Sequence, residues 1–243
     1  MADRSYLDWP FFEERHRKLA QELDDWCRQT KWPHHGDSVD ATDEACRKRV
    51  QLLAEGGWLR WCVPREFGGK HESLDVRSLC LIRETLARYD ALADFSFAMQ
   101  GLGSGAITLY GNPEQKQNIL EEVSAGRMIA GFALSEPDAG SDVAAMNSKA
   151  FSTTEGWKVN GEKSWISNGG IADYYTLFAK TSDQPGSGGI SAFLLKADNP
   201  GLSIAERQEV MAPHPLARLQ LKDAELSRDC LLYTSDAADD LRC

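Results

Sequence analysis

The sequence lacks the features that would mark a membrane protein, a secreted protein or a disulfide-bonded scaffold. No apolar stretch approaches the ~20 residues that a transmembrane helix needs, so no membrane span is predicted. The first residues, 1–5, show no signal-peptide pattern. Six cysteines are present without a C-x-x-C pair. We therefore predict neither a disulfide framework nor a metal site, and interpret the cysteines as free thiols in a reducing cytoplasm.

Positive charge is also in deficit. The chain has 27 lysines and arginines against 37 aspartates and glutamates, which gives a formal net charge of −10. Such a balance provides no general attraction to nucleic acid or to an anionic membrane, so neither is predicted as a partner. With 243 residues, the chain is long enough to bury a sizeable core in one or two domains.

The first half of the chain has the patterns of helices. Apolar residues recur at helical spacing from Thr42 to Glu55, and two glycines end that segment. Asn112 followed by proline, with Gln115 three positions after Asn112, predicts a helix start with a capping box. The apolar stretch 94–110 contains three glycines and predicts a buried, closely packed helix. We therefore expect an all-α helical domain over residues 1–127.

From about residue 128 the apolar residues no longer recur at helical spacing. They recur at every second position instead, as in a β-strand. Turn signals such as Asn160-Gly161 separate the short candidate strands. Short strands at this spacing indicate an antiparallel β-barrel or sandwich. The predicted fold class is thus α+β, with a β-domain over residues 128–229. The candidate strands are 129–135, 146–152, 156–160, 162–168, 174–180, 189–196, 202–205 and 217–222.

Two stretches in the β-domain combine features of a ligand site. In 132–142, an apolar strand runs into Pro137 and then into a small polar loop. The glycine and serine of that loop allow a ligand to approach backbone N–H groups closely. The second stretch, Trp165-Ile-Ser167, places an aromatic ring beside a hydroxyl. Taken alone, such a tryptophan is more often a packing residue.

The pattern ALSEPDAGSD … NGEKSWISNGG … ADYYTLFAKT … GGISAFLLKADNPG resembles the middle β-domain of the FAD-dependent acyl-CoA dehydrogenases. Upstream, Pro64–Gly69 and Gly111–Lys116 agree with the same family. One such motif would be weak evidence, but the resemblance is collinear over residues 10–228. It implies that the chain holds the N-terminal and middle domains only, with the C-terminal helical domain missing.

The resemblance also implies where FAD would bind. Leu134 and Ser135 would pair with the pyrimidine edge of the flavin through backbone groups and the Ser135 hydroxyl, which stabilises the reduced ring. Trp165 would lie against the isoalloxazine, and Ser167 would reach N5. Ser141 would touch the pyrophosphate and border the acyl-CoA site, as the predicted substrate-binding residue. The other predicted cofactor-binding residues are Phe132, Gly140 and Ile166.

The implied reaction belongs to fatty acid metabolism. A base would take the α-proton of an acyl-CoA thioester while hydride passes to FAD, giving a trans-2-enoyl-CoA. An electron-transfer flavoprotein would accept the electrons, and the full-length protein would be a homo-oligomer. The family's base lies in the C-terminal domain, so no catalytic residue is assigned here and the chain alone is expected to be inactive.

Other interpretations remain open at this point. An acyl-CoA oxidase or a flavin monooxygenase of the same superfamily would keep the fold, and a catalytically inactive flavin- or CoA-binding fragment is a third possibility. We expect Glu136 to be solvated or capping at a strand end, and Asp142 to accept hydrogen bonds from loop amides. Lys158 and Lys163 are expected to be exposed. The segment 230–243 contains a run that resembles a translated sequencing adapter, and we interpret it as a non-native tail.

Overall fold

A computed structural model describes residues 3–34, 36 and 38–234. Helices come first in the chain and strands follow, which confirms the predicted α+β order. None of the helices in these ranges is long and apolar enough to cross a bilayer. The helices are α1 Glu14–Gln29, α2 Val39–Glu55, α3 Val76–Tyr89, α4 Ala91–Tyr110 and α5 Pro113–Ser124. The strands are β1 Ala130–Ala133, β2 Lys149–Ser152, β3 Gly156–Ser167, β4 Tyr174–Lys180, β5 Ile190–Lys196, β6 Leu202–Arg207, β7 Leu216–Ser227 and β8 Leu231–Thr234.

The helix ends follow local sequence chemistry. At the start of α5, Asn112 Oδ1 accepts from the Gln115 N–H at 2.8 Å, and Gln115 Oε1 accepts from the Asn112 N–H at 2.8 Å. This is the predicted capping box, with Pro113 as the first helical residue. Helix α2 begins at Val39, three positions before the predicted start, because the Ser38 hydroxyl accepts from the Ala41 N–H.

The strands form one sheet in the order β6-β7-β3-β2-β4-β5-β8, with β1 pairing β4 off that path. Pairing is antiparallel except where β1 and β2 meet β4. The prediction of two strands at 156–160 and 162–168 is wrong, because both belong to β3. A bulge next to Gly161 takes the place of the predicted turn. A Cβ at Gly161 would lie 2.2 Å from the Ser148 hydroxyl oxygen, so the backbones approach closely there.

The end of the described chain joins the sheet. Strand β8 pairs antiparallel with β5, with Ser191 opposite Thr234. The first residues of the segment interpreted as a non-native tail therefore continue the β-domain. Residues 235–243 lie outside the described residues, and the origin of the tail stays a prediction.

Helix α4 connects the helical domain to the sheet. Gly103 allows the contact, because a Cβ there would lie 2.6 Å from the Cβ of Ala130 in β1. The Thr176 hydroxyl on β4 donates to the Gly103 carbonyl at 2.7 Å. Leu102, Leu109 and Tyr110 of α4 stay exposed. The helix is thus buried on one face only, and β1 lies directly beneath that face.

Candidate functional site

A cleft of about 160 Å³ opens where α4 passes the ends of β1 and β3. Met99 and Leu102 line it from α4. Six of the eight predicted cofactor-binding residues line it from the two strand ends: Phe132, Leu134, Ser135, Trp165, Ile166 and Ser167. The other two, Gly140 and Ser141, lie in the exposed loop that follows β1 and do not line this cleft. Two stretches about 30 residues apart in sequence therefore meet at one place.

Side chains from other elements hold β1 at this position. The buried Gln100 of α4 donates from Nε2 to the Met128 carbonyl at 2.8 Å and accepts from the Ala130 N–H at 2.8 Å. The buried Asn168 donates from Nδ2 to the Ala130 carbonyl at 2.8 Å. Sequence reasoning missed both residues. An isolated glutamine in an otherwise apolar helix was the signal that could have identified Gln100.

Lys163, predicted to be exposed, is instead buried beneath the cleft together with Glu136, which was predicted to be solvated or capping. The side chains of Lys163 and Glu136 are 0% and 4% exposed, and their Nζ and Oε1 atoms are 2.8 Å apart. Lys163 Nζ also donates to the Leu134 carbonyl at 3.0 Å. The prediction of an exposed Lys163 is wrong because β3 is one continuous strand, on which Lys163 lies four positions after the buried Val159 and therefore on the same face. Lys158, five positions earlier on the same strand, is half-exposed and lies near Glu225.

Glu136 does act as a cap, although it is not solvated. Its carboxylate accepts from the backbone N–H groups of Asn147 and Ser148 as well as from Lys163. Burial alone would raise the pKa of this carboxyl, but the hydrogen bond and charge of Lys163, with the two amides, hold the pKa below its usual value. Burial lowers the pKa of Lys163, and Glu136 opposes that effect. The Glu136 carboxylate is therefore ionised, and its oxygens accept hydrogen bonds from these three donors.

On the other side of the cleft, Trp165 has an exposed side chain and an unusual backbone conformation. Its side chain is 58% exposed and its backbone has a φ of 59°. This left-handed conformation is uncommon for a bulky residue and costs about 1–2 kcal/mol. The Trp165 N–H donates to Gln208 Oε1 at 2.9 Å. An exposed indole on a strained backbone is an arrangement often found at binding sites.

The cleft lining carries no titratable side chain. Its residues are apolar apart from the indole of Trp165 and the hydroxyls of Ser135 and Ser167. Asp142 is exposed, and its carboxylate makes no hydrogen bond to the short helical turn that follows it, so the expected bonding of Asp142 to those loop amides is wrong. The lining fits one face of a planar ring with polar atoms at its edge, and offers no acid or base.

An apolar groove of about 320 Å³ continues from the cleft along the exposed face of α4. Leu102 and Phe132 line both spaces, and Leu109 and Tyr110 extend the groove away from the cleft. Phe178 of β4 packs against Phe132 with ring centroids 5.0 Å apart and forms the floor. An apolar ligand segment bound in the cleft would therefore find a continuous apolar surface beside it.

Comparisons with known proteins agree with this architecture. The acyl-CoA dehydrogenase N-terminal domain family matches residues 13–127, and the acyl-CoA dehydrogenase middle domain family matches residues 131–224. A probable acyl-CoA dehydrogenase of Mycobacterium leprae is 34% identical over 196 residues, which cover 81% of this chain and 50% of that protein.

Solved structures show the same similarity. An acyl-CoA dehydrogenase from Geobacillus kaustophilus has a TM-score of 0.81 at 25% identity, over 95% of this chain and 61% of that one. A glutaryl-coenzyme A dehydrogenase in complex with glutaryl-CoA has a TM-score of 0.78 at 26% identity, over 94% of this chain and 59% of that one. The chain spans about half the length of the curated relatives it matches.

Proposed function

Because the chain belongs to the acyl-CoA dehydrogenase family, we propose that it provides two of the walls of a flavoenzyme site, one from its helical domain (1–127) and one from its β-domain (128–229). In this proposal the cleft binds the isoalloxazine of FAD. The observation that carries it is the gathering of six sequence-predicted contact residues around one cleft that has an exposed indole and two hydroxyls. Planar rings stack on such aromatic faces, and hydroxyls and amides pair with polar ring edges.

Each residue has a role in the proposed site. The Trp165 indole covers one face of the ring, and the Ser167 hydroxyl donates near the position where hydride arrives. Leu134 and Ser135 recognise the polar edge, and Phe132 and Ile166 shield the ring from water. Bound FAD supplies hydride acceptance, so the parent enzyme oxidises acyl-CoA thioesters to trans-2-enoyl-CoA.

The remaining parts of the proposal concern substrate and partners. We place Gly140 and Ser141 at the pyrophosphate, and Ser141 also beside the acyl-CoA, because their loop is exposed and leads away from the cleft. A structural relative was solved with glutaryl-CoA, which supports a CoA ester as the substrate class. An electron-transfer flavoprotein would reoxidise the enzyme in the cytoplasm, and the full-length protein would form a homo-oligomer.

The catalytic base would come from the part of the relatives that this chain does not cover. Two observations support this view. The cleft lining has no titratable side chain. The carboxylate just beyond it, Glu136, is buried and engaged by three donors. Proton abstraction needs a positioned base with a free lone pair, so this chain alone should not turn over an acyl-CoA.

Visible absorption after incubation with FAD and desalting tests the proposal. We expect a retained flavin band with vibrational structure, because a ring held against Trp165 leaves bulk water. Replacing Trp165 and Ser167 by alanine should abolish retention, whereas Lys158→Met, at the far end of β3, should not. A featureless spectrum from the parent chain would contradict the flavin site. Turnover of an acyl-CoA with an artificial electron acceptor would contradict the assignment of the base.

A further inference from the structure

The buried ion pair beneath the cleft carries an inference that rests on the proposed function. We propose that Lys163, held by Glu136, is a positioning residue that turns the Ser135 N–H toward the cleft, where it donates to an acceptor on the polar edge of the flavin. The pair itself does not line the cleft. It acts through the peptide bond between Leu134 and Ser135, which does line the cleft.

Lys163 orients the peptide between Leu134 and Ser135. Lys163 Nζ is buried and donates to the Leu134 carbonyl at 3.0 Å, so this carbonyl points into the protein. The described chain has no cis peptide bond. In a trans peptide the C=O and N–H groups point to opposite sides. The N–H of Ser135 therefore points away from Lys163, toward the side on which Leu134 and Ser135 line the cleft.

The next peptide along the chain, between Ser135 and Glu136, is fixed by hydrogen bonds of its own. The Ser135 carbonyl accepts from the Ser164 N–H of β3 at 2.9 Å, and the Glu136 N–H donates to the Ala139 carbonyl at 3.0 Å. Both groups that follow the Leu134–Ser135 peptide are thus fixed. A charge-assisted bond from Lys163 is stronger than a bond from a neutral donor, so it holds the Leu134 carbonyl most firmly of the three.

Glu136 keeps Lys163 in place. Its Nζ lies 2.8 Å from Glu136 Oε1, and the Glu136 carboxylate is fixed by the backbone amides of Asn147 and Ser148. The lysine is therefore tied to the start of β2 through the carboxylate. Buried ion pairs add little net stability compared with apolar residues of similar size. A pair located under a binding cleft is better explained by orientation of the groups above it.

Amide hydrogen exchange of the flavin-free chain, measured by NMR, tests the orientation without any ligand. We expect the Ser135 amide to exchange at close to the rate of an unprotected amide, because it faces the open cleft. The Ser164 amide, which is bonded to the Ser135 carbonyl, should be protected and serves as the internal reference. Strong protection of the Ser135 amide in the flavin-free chain would overturn the inference, even if the chain proves able to bind FAD.

The double variant Lys163→Met with Glu136→Gln tests the consequence for binding. It removes both charges together, so no buried charge is left unpaired, and its thermal midpoint should stay within a few degrees of the parent. We expect its dissociation constant for FAD to rise at least tenfold, because the Leu134–Ser135 peptide is no longer held. Lys158→Met, on the same strand but half-exposed, should leave both quantities unchanged.

These experiments distinguish a failure of the positioning role of Lys163 from a failure of the proposed flavin site. Parent-like affinity in a folded double variant overturns the positioning role and leaves the flavin site intact. Failure of the parent chain to hold FAD removes the proposed function for this chain, while the exchange rate of the Ser135 amide still decides the orientation. In the parent with FAD bound, that amide should become protected. If it remains unprotected, the inference fails.

Discussion

The two sides of the cleft are built in opposite ways. On the anchored side, 134–136, the Leu134 and Ser135 carbonyls and the Glu136 carboxylate are all hydrogen-bonded to other elements. On the exposed side, 165–167, the indole of Trp165 is largely in solvent and its backbone is in a left-handed conformation. One side is fixed by many bonds to its surroundings, whereas the other presents a ring on a single strained residue.

This difference matches what each side would have to recognise. Hydrogen bonds weaken steeply when their angle departs from linearity, so donors and acceptors for a ring edge need a fixed backbone. Stacking on an aromatic face depends on area and tolerates small rotations. The anchored side therefore suits directional recognition, and the exposed side suits coverage of a planar face. The following variants test whether the two sides are as different as the structure indicates.

The largest expected loss of stability comes from Lys163→Met alone, which removes the ion pair and the hydrogen bond that hold the anchored side. Glu136 would then remain buried without its counter-charge, which costs about 3–5 kcal/mol. Urea unfolding followed by circular dichroism measures the loss. Lys158→Met is the matched control and should cost less than about 1 kcal/mol, since its ion pair is partly solvent-exposed. A cost below about 1 kcal/mol for Lys163→Met would show that the pair does not hold the anchored side.

A smaller loss of stability is expected from Gln100→Ala, which removes the hydrogen bonds between this side chain of α4 and the backbone of β1 and Met128. The Met128 carbonyl and the Ala130 N–H would each lose a partner, and an unsatisfied buried group costs about 1–3 kcal/mol. We expect a loss of about 2–4 kcal/mol in the free energy of unfolding. Gln117→Ala, on the exposed face of α5, should change the stability by less than about 0.5 kcal/mol. Equal effects of the two variants would show that Gln100 does not anchor β1.

The sequence predicts features formed within one short segment better than it predicts the contacts that hold the anchored side. Asn112 and Gln115 form the expected capping box because all the groups involved lie within one helical turn. The burial of Lys163 depends on the continuity of β3 with the buried Val159 and on a carboxylate 27 positions earlier in the chain. Lysine side chains are almost always found in solvent, so only the folded structure reveals the pair. Family resemblance predicts residues that line the cleft, but not the residues that hold the lining in place.

The smallest expected effect on stability comes from the exposed side, with Trp165→Gly. Glycine adopts a φ of 59° without strain, and the gain of about 1 kcal/mol offsets the little packing that a half-exposed indole loses. The free energy of unfolding should therefore change by less than about 1 kcal/mol, while FAD retention falls sharply.

Trp157→Gly is the control for Trp165→Gly because Trp157 lies on the same strand, has no positive φ and packs against Phe193 at 5.5 Å between ring centroids. It should cost about 3 kcal/mol, as expected for loss of a large packed side chain. If Trp165→Gly instead costs as much as Trp157→Gly, then Trp165 is a packing residue like its neighbour. The cleft would then have two anchored sides, and an exposed ring on a strained backbone would no longer identify the face that meets a ligand.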